Sequence, residues 1–184
     1  MSGSFNQLVK DYSPQLIKHT LCFCHNNDDI LLLLRNKQPN KDLWNGLGGK
    51  IEEGEEPHDS ALREINEESS LELTNLKHLG IVSWSYDKPG YIPYQIIGGM
   101  HIFWGEVDDE QRNMKDIHHQ ETIEGKLGWH HKDDVYNLDS PQIVENISVF
   151  LPQMVAAQQL THHHFVYQGS NNFLDHLVIP FESK

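Results

Sequence analysis

The sequence predicts a single α/β domain, and three observations carry that prediction. Stretches with strand character recur along the chain, two stretches space their apolar residues as helices do, and 184 residues suffice for one well-buried core but not for two. No internal repeat or low-complexity linker interrupts the chain, so the domain is expected to span residues 1–184. A net charge of −13 argues against a partner that is a nucleic-acid polymer, which calls for a basic face. It leaves a nucleotide substrate open, because a bound divalent cation reverses the local field. No stretch reaches the length of a membrane span, and the first residues lack the apolar centre of a signal peptide. A cytoplasmic location, no membrane partner and a monomeric state are expected.

Met1 to Ser13 reads as a mobile or edge segment. Gln15 to His25 reads as a strand on which Cys22 and Cys24 face one side. Such a pair gives no disulfide framework and too few ligands for a metal, so two packed thiols in a reducing compartment are expected. Asn26-Asn27-Asp28-Asp29 is a turn, and Ile30 to Leu34 an apolar run suited to a central strand buried on both faces, ended by Arg35. A loop rich in Asn, Lys and Pro leads to Trp44-Asn45-Gly46 and the glycines Gly48 and Gly49. From Pro57 to about Ser69 the spacing is helical, with Ala61, Leu62 and Ile65 on one face. Pro57 suits the first helical position, where the missing N–H has no intrahelical partner.

Leu76 to Tyr86 reads as a long strand, Asp87-Lys88-Pro89-Gly90 as a turn, and Gln95 to Val107 as the returning strand. In that strand Gly98-Gly99 marks a bulge or a close backbone approach. Asp108 to Gln120 is expected to be a surface loop and Lys126 to His130 a short strand. Pro141 to Gln159 should form a helix, with Ile143, Val144, Ile147, Phe150, Leu151 and Met154 on one face. Residues 164–181 are expected to form a terminal β-hairpin turning at Gly169 to Asn172.

The chemistry gathers on the first helix. Glu64, Glu67 and Glu68 stand at i, i+3 and i+4, so their carboxylates share a patch and repel one another. A hard cation with oxygen ligands, Mg²⁺ or Mn²⁺, relieves that repulsion; a solvated acidic face is the plainer alternative. The thirteen histidines include His118-His119, His130-His131 and His162-His163-His164. Neighbours on a strand point to opposite faces, which is poor ligand geometry, so these are expected to face solvent and to bind no metal.

Gly49, then five residues, Glu55, then seven, then Arg63-Glu64-Ile65-x-Glu67-Glu68 resembles the Nudix box of the Nudix (MutT-like) hydrolases, with Ser70 where the family has glycine. The resemblance spans residues 49–71 and implies an α/β/α sandwich with a mixed sheet and a C-terminal hairpin. It also implies Mg²⁺-dependent hydrolysis of a nucleoside diphosphate linked to another group. On this reading Glu64, Glu67, Glu68 and the carbonyl of Gly49 hold the metal. Arg63 orients the acids through an ion pair, for which Glu55 is the candidate, and a distant loop adds another acid, Glu124 first and Glu121 second. Ser70 falls at a turn that calls for positive φ.

Trp44-Asn45-Gly46-Leu47-Gly48-Gly49-Lys50 and the terminal Phe165-Val166-Tyr167-x-Gly169 resemble one branch of that family, the oxidised purine nucleoside triphosphatases of 8-oxo-dGTPase type. This implies Asn45 on the purine and Arg35 near the phosphates, with Lys50 a third substrate-binding candidate. An Asn before Gly46 also suits a turn, and that alternative stays open. The acid that this branch sets against the purine near its last helix aligns with no single residue between Asp139 and Asn146. The expected activity is purine nucleoside triphosphate pyrophosphohydrolysis, releasing a monophosphate and pyrophosphate. Hydrolysis of ADP-ribose or a dinucleotide polyphosphate is the alternative, and a non-catalytic ligand sensor is a third, against which the intact glutamates count.

Overall fold

A computed structural model describes residues 14–92, 94–114, 122–169 and 173–180. The expectations for residues 1–13, for Glu121 and His118-His119, and for residues 170–172 of the hairpin tip fall outside these residues. After a 3₁₀ turn (Pro14–Leu16) come β1 (Ile17–Asn26), β2 (Asp29–Arg35), β3 (Trp44–Asn45) and α1 (Pro57–Ser69). Then follow β4 (Lys77–Tyr86), β5 (Gly98–Glu106), α2 (Asp109–Met114), β6 (Gly125–His131) and α3 (Lys132–Val135). The last described elements are α4 (Ile147–Ala156), β7 (Thr161–Tyr167) and β8 (Phe173–Pro180).

All the strands join one mixed sheet, ordered β3-β2-β1-β5-β4-β7-β8 with β6 on the other edge of β2. The β1–β5 and β4–β7 pairs are parallel and the other pairs antiparallel. Strand alternation gives the sheet two apolar faces. Leu21, Phe23, Ile30 and Leu32 pack with Ile147, Phe150, Leu151 and Met154 of α4. Cys22, Cys24, Leu31 and Leu33 pack on the opposite face with Ala61 and Ile65 of α1. The apolar run of β2 is thus buried on both sides, and the architecture is the α/β/α sandwich. Both cysteines are free and buried, and burial pushes the Cys24 thiol up to about 12. Among the described residues no helix is long and apolar enough to cross a membrane.

The structure departs from the sequence reading in several places. The last helix starts at Ile147 rather than Pro141, because Ile143 forms a β-bridge to Trp44 and the Val144 N–H donates to the Trp44 carbonyl at 3.0 Å. Asp109–Met114 is helical where a loop was expected, and Arg112 ties it to the sheet through Asn26 Oδ1 (2.7 Å) and Asp29. The hairpin begins at Thr161, so it takes in all three histidines His162, His163 and His164. These do not face solvent: His162 is 3% exposed, and His163 and His164 not at all. His162 and His164 lie on one face of β7 and bond to serines of β4, while His163 on the other face contacts His176 at 3.0 Å. His130 packs edge-on against Trp44, and His131 is exposed and caps α3.

Candidate active site

Helix α1 decides where the acids go. Ala61, Ile65 and Glu68 fall on the core-facing stripe at i, i+4 and i+7, and Glu64 lies beside them. Glu68 is therefore drawn in until it is 6% exposed, whereas Glu67, off the stripe, keeps a side chain 59% exposed. The Glu68 Oε2 accepts the Gly48 N–H at 2.8 Å. Burial pushes the Glu68 carboxyl up to about 8; the Gly48 N–H and Arg35 oppose that shift, while the charges of Glu64 and Glu124 add to it. Glu64 is also raised by burial, against the pull of Arg63.

The chain before the helix runs along β1 as an irregular strand. The Thr20 N–H donates to the Gly49 carbonyl at 2.9 Å, and the Cys22 N–H to the Leu47 carbonyl at 2.6 Å. This approach leaves no room for side chains. A Cβ on Gly48, whose φ is +147°, would stand 2.2 Å from the Thr20 carbonyl oxygen, and one on Gly49 would stand 2.4 Å from Glu64 Oε1. The Gly49 carbonyl keeps a second lone pair.

Arg63 holds the acids from the outer side. Its Nε and Nη2 donate to the two Glu55 oxygens at 2.9 and 3.0 Å, and its Nη1 to Glu64 Oε1 at 2.8 Å and Glu67 Oε2 at 3.3 Å. These bonds lower the Glu55 carboxyl to about 2, with help from the Glu52 N–H. Arg63 holds Glu64 and Glu67, and no three His, Cys, Asp or Glu side chains among the described residues stand assembled around one point.

The carboxylates open onto a cleft of about 650 Å³, inside the range of small-molecule sites. Glu64, Glu67, Glu68, Gly48 and Gly49 form one wall; Arg35, Asn45 and Glu124 also line it. Arg35 Nε donates to the Pro39 carbonyl at 2.8 Å, and Lys37 Nζ pairs with Glu124 Oε1 at 3.0 Å. Asn45 Oδ1 accepts the Gly46 N–H at 2.9 Å, so the turn-forming role is realised; its Nδ2 has no partner among the described residues. Lys50 does not line the cleft: it is exposed, and its carbonyl accepts Arg63 Nη2 at 3.3 Å. Sequence reasoning missed the apolar lining of Leu21, Trp84 and Met100, and Thr20, whose buried hydroxyl has no hydrogen-bond partner among the described residues. These residues come from three strands, and no local motif marks them.

The family model for the NUDIX domain matches residues 16–153. The uncharacterised Nudix hydrolase YvcI of Bacillus subtilis (strain 168) is 29% identical over 163 residues, 88% of this chain and 93% of its own. The oxidised purine nucleoside triphosphate hydrolase of Mus musculus is 30% identical over 94 residues, 50% of this chain and 60% of its own. An ADP-ribose pyrophosphatase of Haemophilus influenzae is 43% identical over 72 residues, 39% of this chain and 29% of its own. Among solved structures, a MutT protein from Bacillus halodurans superposes with a TM-score of 0.64 at 24% identity, covering 87% of this chain and 95% of that one.

Proposed function

The chain belongs to the Nudix hydrolases, enzymes of nucleoside diphosphate derivatives, and on that premise we propose that it is a purine nucleoside triphosphate pyrophosphohydrolase. The observation that carries the reading is that one cleft of about 650 Å³ is lined by the glutamates of α1, by Asn45 and by the apolar side chains of Leu21, Trp84 and Met100. Similarity to the mouse hydrolase of oxidised purine nucleoside triphosphates supports it. Hydrolysis of ADP-ribose is the second reading, favoured by the similarity to the Haemophilus influenzae enzyme.

Glu64, Glu67, Glu68 and the Gly49 carbonyl would hold a divalent cation. All are hard oxygen donors, which suit Mg²⁺ or Mn²⁺. The fit rests on Glu68, a carboxylate taken out of water beside two other acids with one N–H and one distant arginine set against them. Nudix hydrolases use divalent metal ions, which when bound neutralise phosphate oxygens and act as a Lewis acid towards water.

The protein's own share is positioning, as phosphoryl chemistry requires. Arg63 fixes the rotamers of Glu64 and Glu67, and the Gly48 N–H fixes Glu68. Arg35 supplies a positive charge for the phosphates. Glu124, with one oxygen on Lys37, is our candidate to take a proton from the attacking water. Asn45 Nδ2 remains free to donate to a base edge.

Assaying purine and pyrimidine triphosphates, ADP-ribose and a dinucleotide polyphosphate with Mg²⁺ tests the reading. Pyrophosphate and a monophosphate should appear fastest, by kcat/KM, from a purine triphosphate. Faster release of AMP from ADP-ribose overturns it. Asn45→Ala should weaken purine more than pyrimidine substrates, and equal losses would confine Asn45 to its turn.

A further inference from the structure

We propose that Ile123 is a specificity-determining residue that packs on the substrate's nucleobase from the open side of the cleft. The proposal rests on the nucleoside triphosphatase reading above. Ile123 lines the cleft, yet it is 85% exposed, more than any other large apolar side chain among the described residues. A lone exposed isoleucine ordinarily needs no explanation. This one sits in a turn fixed by hydrogen bonds while its side chain stays exposed.

The residues 122–125 form a closed turn. The Thr122 N–H donates to the Gly125 carbonyl at 2.7 Å and the Gly125 N–H returns to the Thr122 carbonyl at 3.3 Å. The Thr122 hydroxyl oxygen accepts the N–H groups of Glu124 and Gly125 at 3.2 and 3.1 Å. Asn36, next to Arg35, clamps the turn from the other loop: its Nδ2 donates to the Ile123 carbonyl at 3.1 Å and its N–H to the Glu124 carbonyl at 3.0 Å. The turn therefore presents two side chains at fixed positions. Glu124 acts on the carboxylate side, where its charge is felt by Glu68. Ile123 stands beside it, and Leu21, Trp84 and Met100 line the same cleft. A flat base packed on those three side chains would leave its second face in water, and a fixed isoleucine lining the same cleft is the group that would cover it.

Kinetics on dGTP with Mg²⁺ test the assignment. Ile123→Ser should raise KM by about five- to twentyfold, the equivalent of one aliphatic contact, with kcat changed less than about twofold. Ile123→Val should retain most of the wild-type KM, and neither variant should shift Tm, since the side chain buries so little. Inhibition by dGMP should weaken in Ile123→Ser while inhibition by pyrophosphate, which has no base, stays as in the wild type. A KM within about twofold of wild type for Ile123→Ser overturns the inference, as does equal weakening of both inhibitors or a fall in Tm. If the wild type releases pyrophosphate and the serine variant is unaltered, only this inference falls. If the wild type releases none from any nucleoside triphosphate, the activity reading falls and this one with it.

Discussion

The carboxylates of α1 and the histidines of β7 are both taken out of water, but the fold treats them differently. Glu68 sits beside Glu64 and within reach of the Glu124 charge, with one hydrogen bond among the described residues, from a backbone N–H. His162 and His164 instead share the Ser83 hydroxyl at 2.6 and 2.8 Å, and His164 reaches Ser85 at 2.9 Å. The histidines shed their charge at little cost and complete a polar ladder between β4 and β7. The glutamates keep an electrostatic conflict at the edge of a cleft. A set of charges in conflict and open to a ligand points to chemistry, and a hydrogen-bonded pair closed to solvent, as His162 and His164 are, points to architecture.

The largest effect expected from this contrast is on turnover. Glu67→Gln and Glu68→Gln should each lower kcat by about 100-fold or more under saturating Mg²⁺, with the protein still folded. Near wild-type turnover in either variant would remove the carboxylates from the reaction. The contrast also predicts stability slopes of opposite sign in metal-free protein. Burial lowers His162, His163 and His164 from 6.5 to about 4, so their neutral forms contribute stability that is whole above pH 6.5 and is lost as pH falls towards 4. Glu68 moves from 4.5 to about 8, so its contribution is whole below pH 4.5 and is lost as pH rises towards 8. Melting curves from pH 4 to 8.5 in a chelator should therefore fall at both ends, and Glu68→Gln should flatten the alkaline limb alone. An alkaline limb unchanged by that substitution would break the comparison.

A smaller effect is expected at Ser83. Ser83→Ala removes the hydroxyl that two buried ring nitrogens share, at about 1–3 kcal/mol. For a domain of this size each kcal/mol lowers Tm by about 2–4 °C. Turnover should stay as in the wild type, since Ser83 does not line the cleft. A loss of kcat with Tm intact would give the ladder a part in catalysis.

The two regions also differed in how far the sequence disclosed them. Around α1 the cues were local: Pro57 at the helix start, the stripe of Ala61 and Ile65, and the spacing of Glu64, Glu67 and Glu68 each act within a turn or two. The two-sided burial of Ile30 to Leu34 was legible because an unbroken apolar run has few other homes. His162 and His164 misled because their hydrogen-bond partners are serines about 80 positions earlier, which no window on β7 contains. Ile143 and Val144 fitted a helical face, yet a bridge to Trp44 claimed them. Lys50 sits within the motif, and its backbone bridges to His19, which lines the cleft.

The smallest effect is expected where α1 ends. Ser70 adopts φ 56° and ψ 18°, a left-handed conformation that costs an L-residue about 1–2 kcal/mol, and glycine pays no such strain. Ser70→Gly removes that cost but frees the unfolded chain, which returns about 0.5–1 kcal/mol. The turn itself is held by neighbours: the Ser70 N–H donates to the Asn66 carbonyl at 2.7 Å, the Leu71 N–H to Ser69 Oγ at 3.2 Å, and Asn66 Nδ2 to the Leu71 carbonyl at 3.3 Å. None of these bonds uses the Ser70 side chain, which is exposed. The net change should be a gain of less than about 1 kcal/mol, read as a rise in Tm of up to about 4 °C, with kcat and KM unaltered. Ser70→Ala keeps the left-handed residue and discards only the hydroxyl, so it should leave Tm near the wild type. If Ser70→Gly lowered Tm while Ser70→Ala lowered it equally, the hydroxyl would be what holds the helix end, and the backbone account would be wrong.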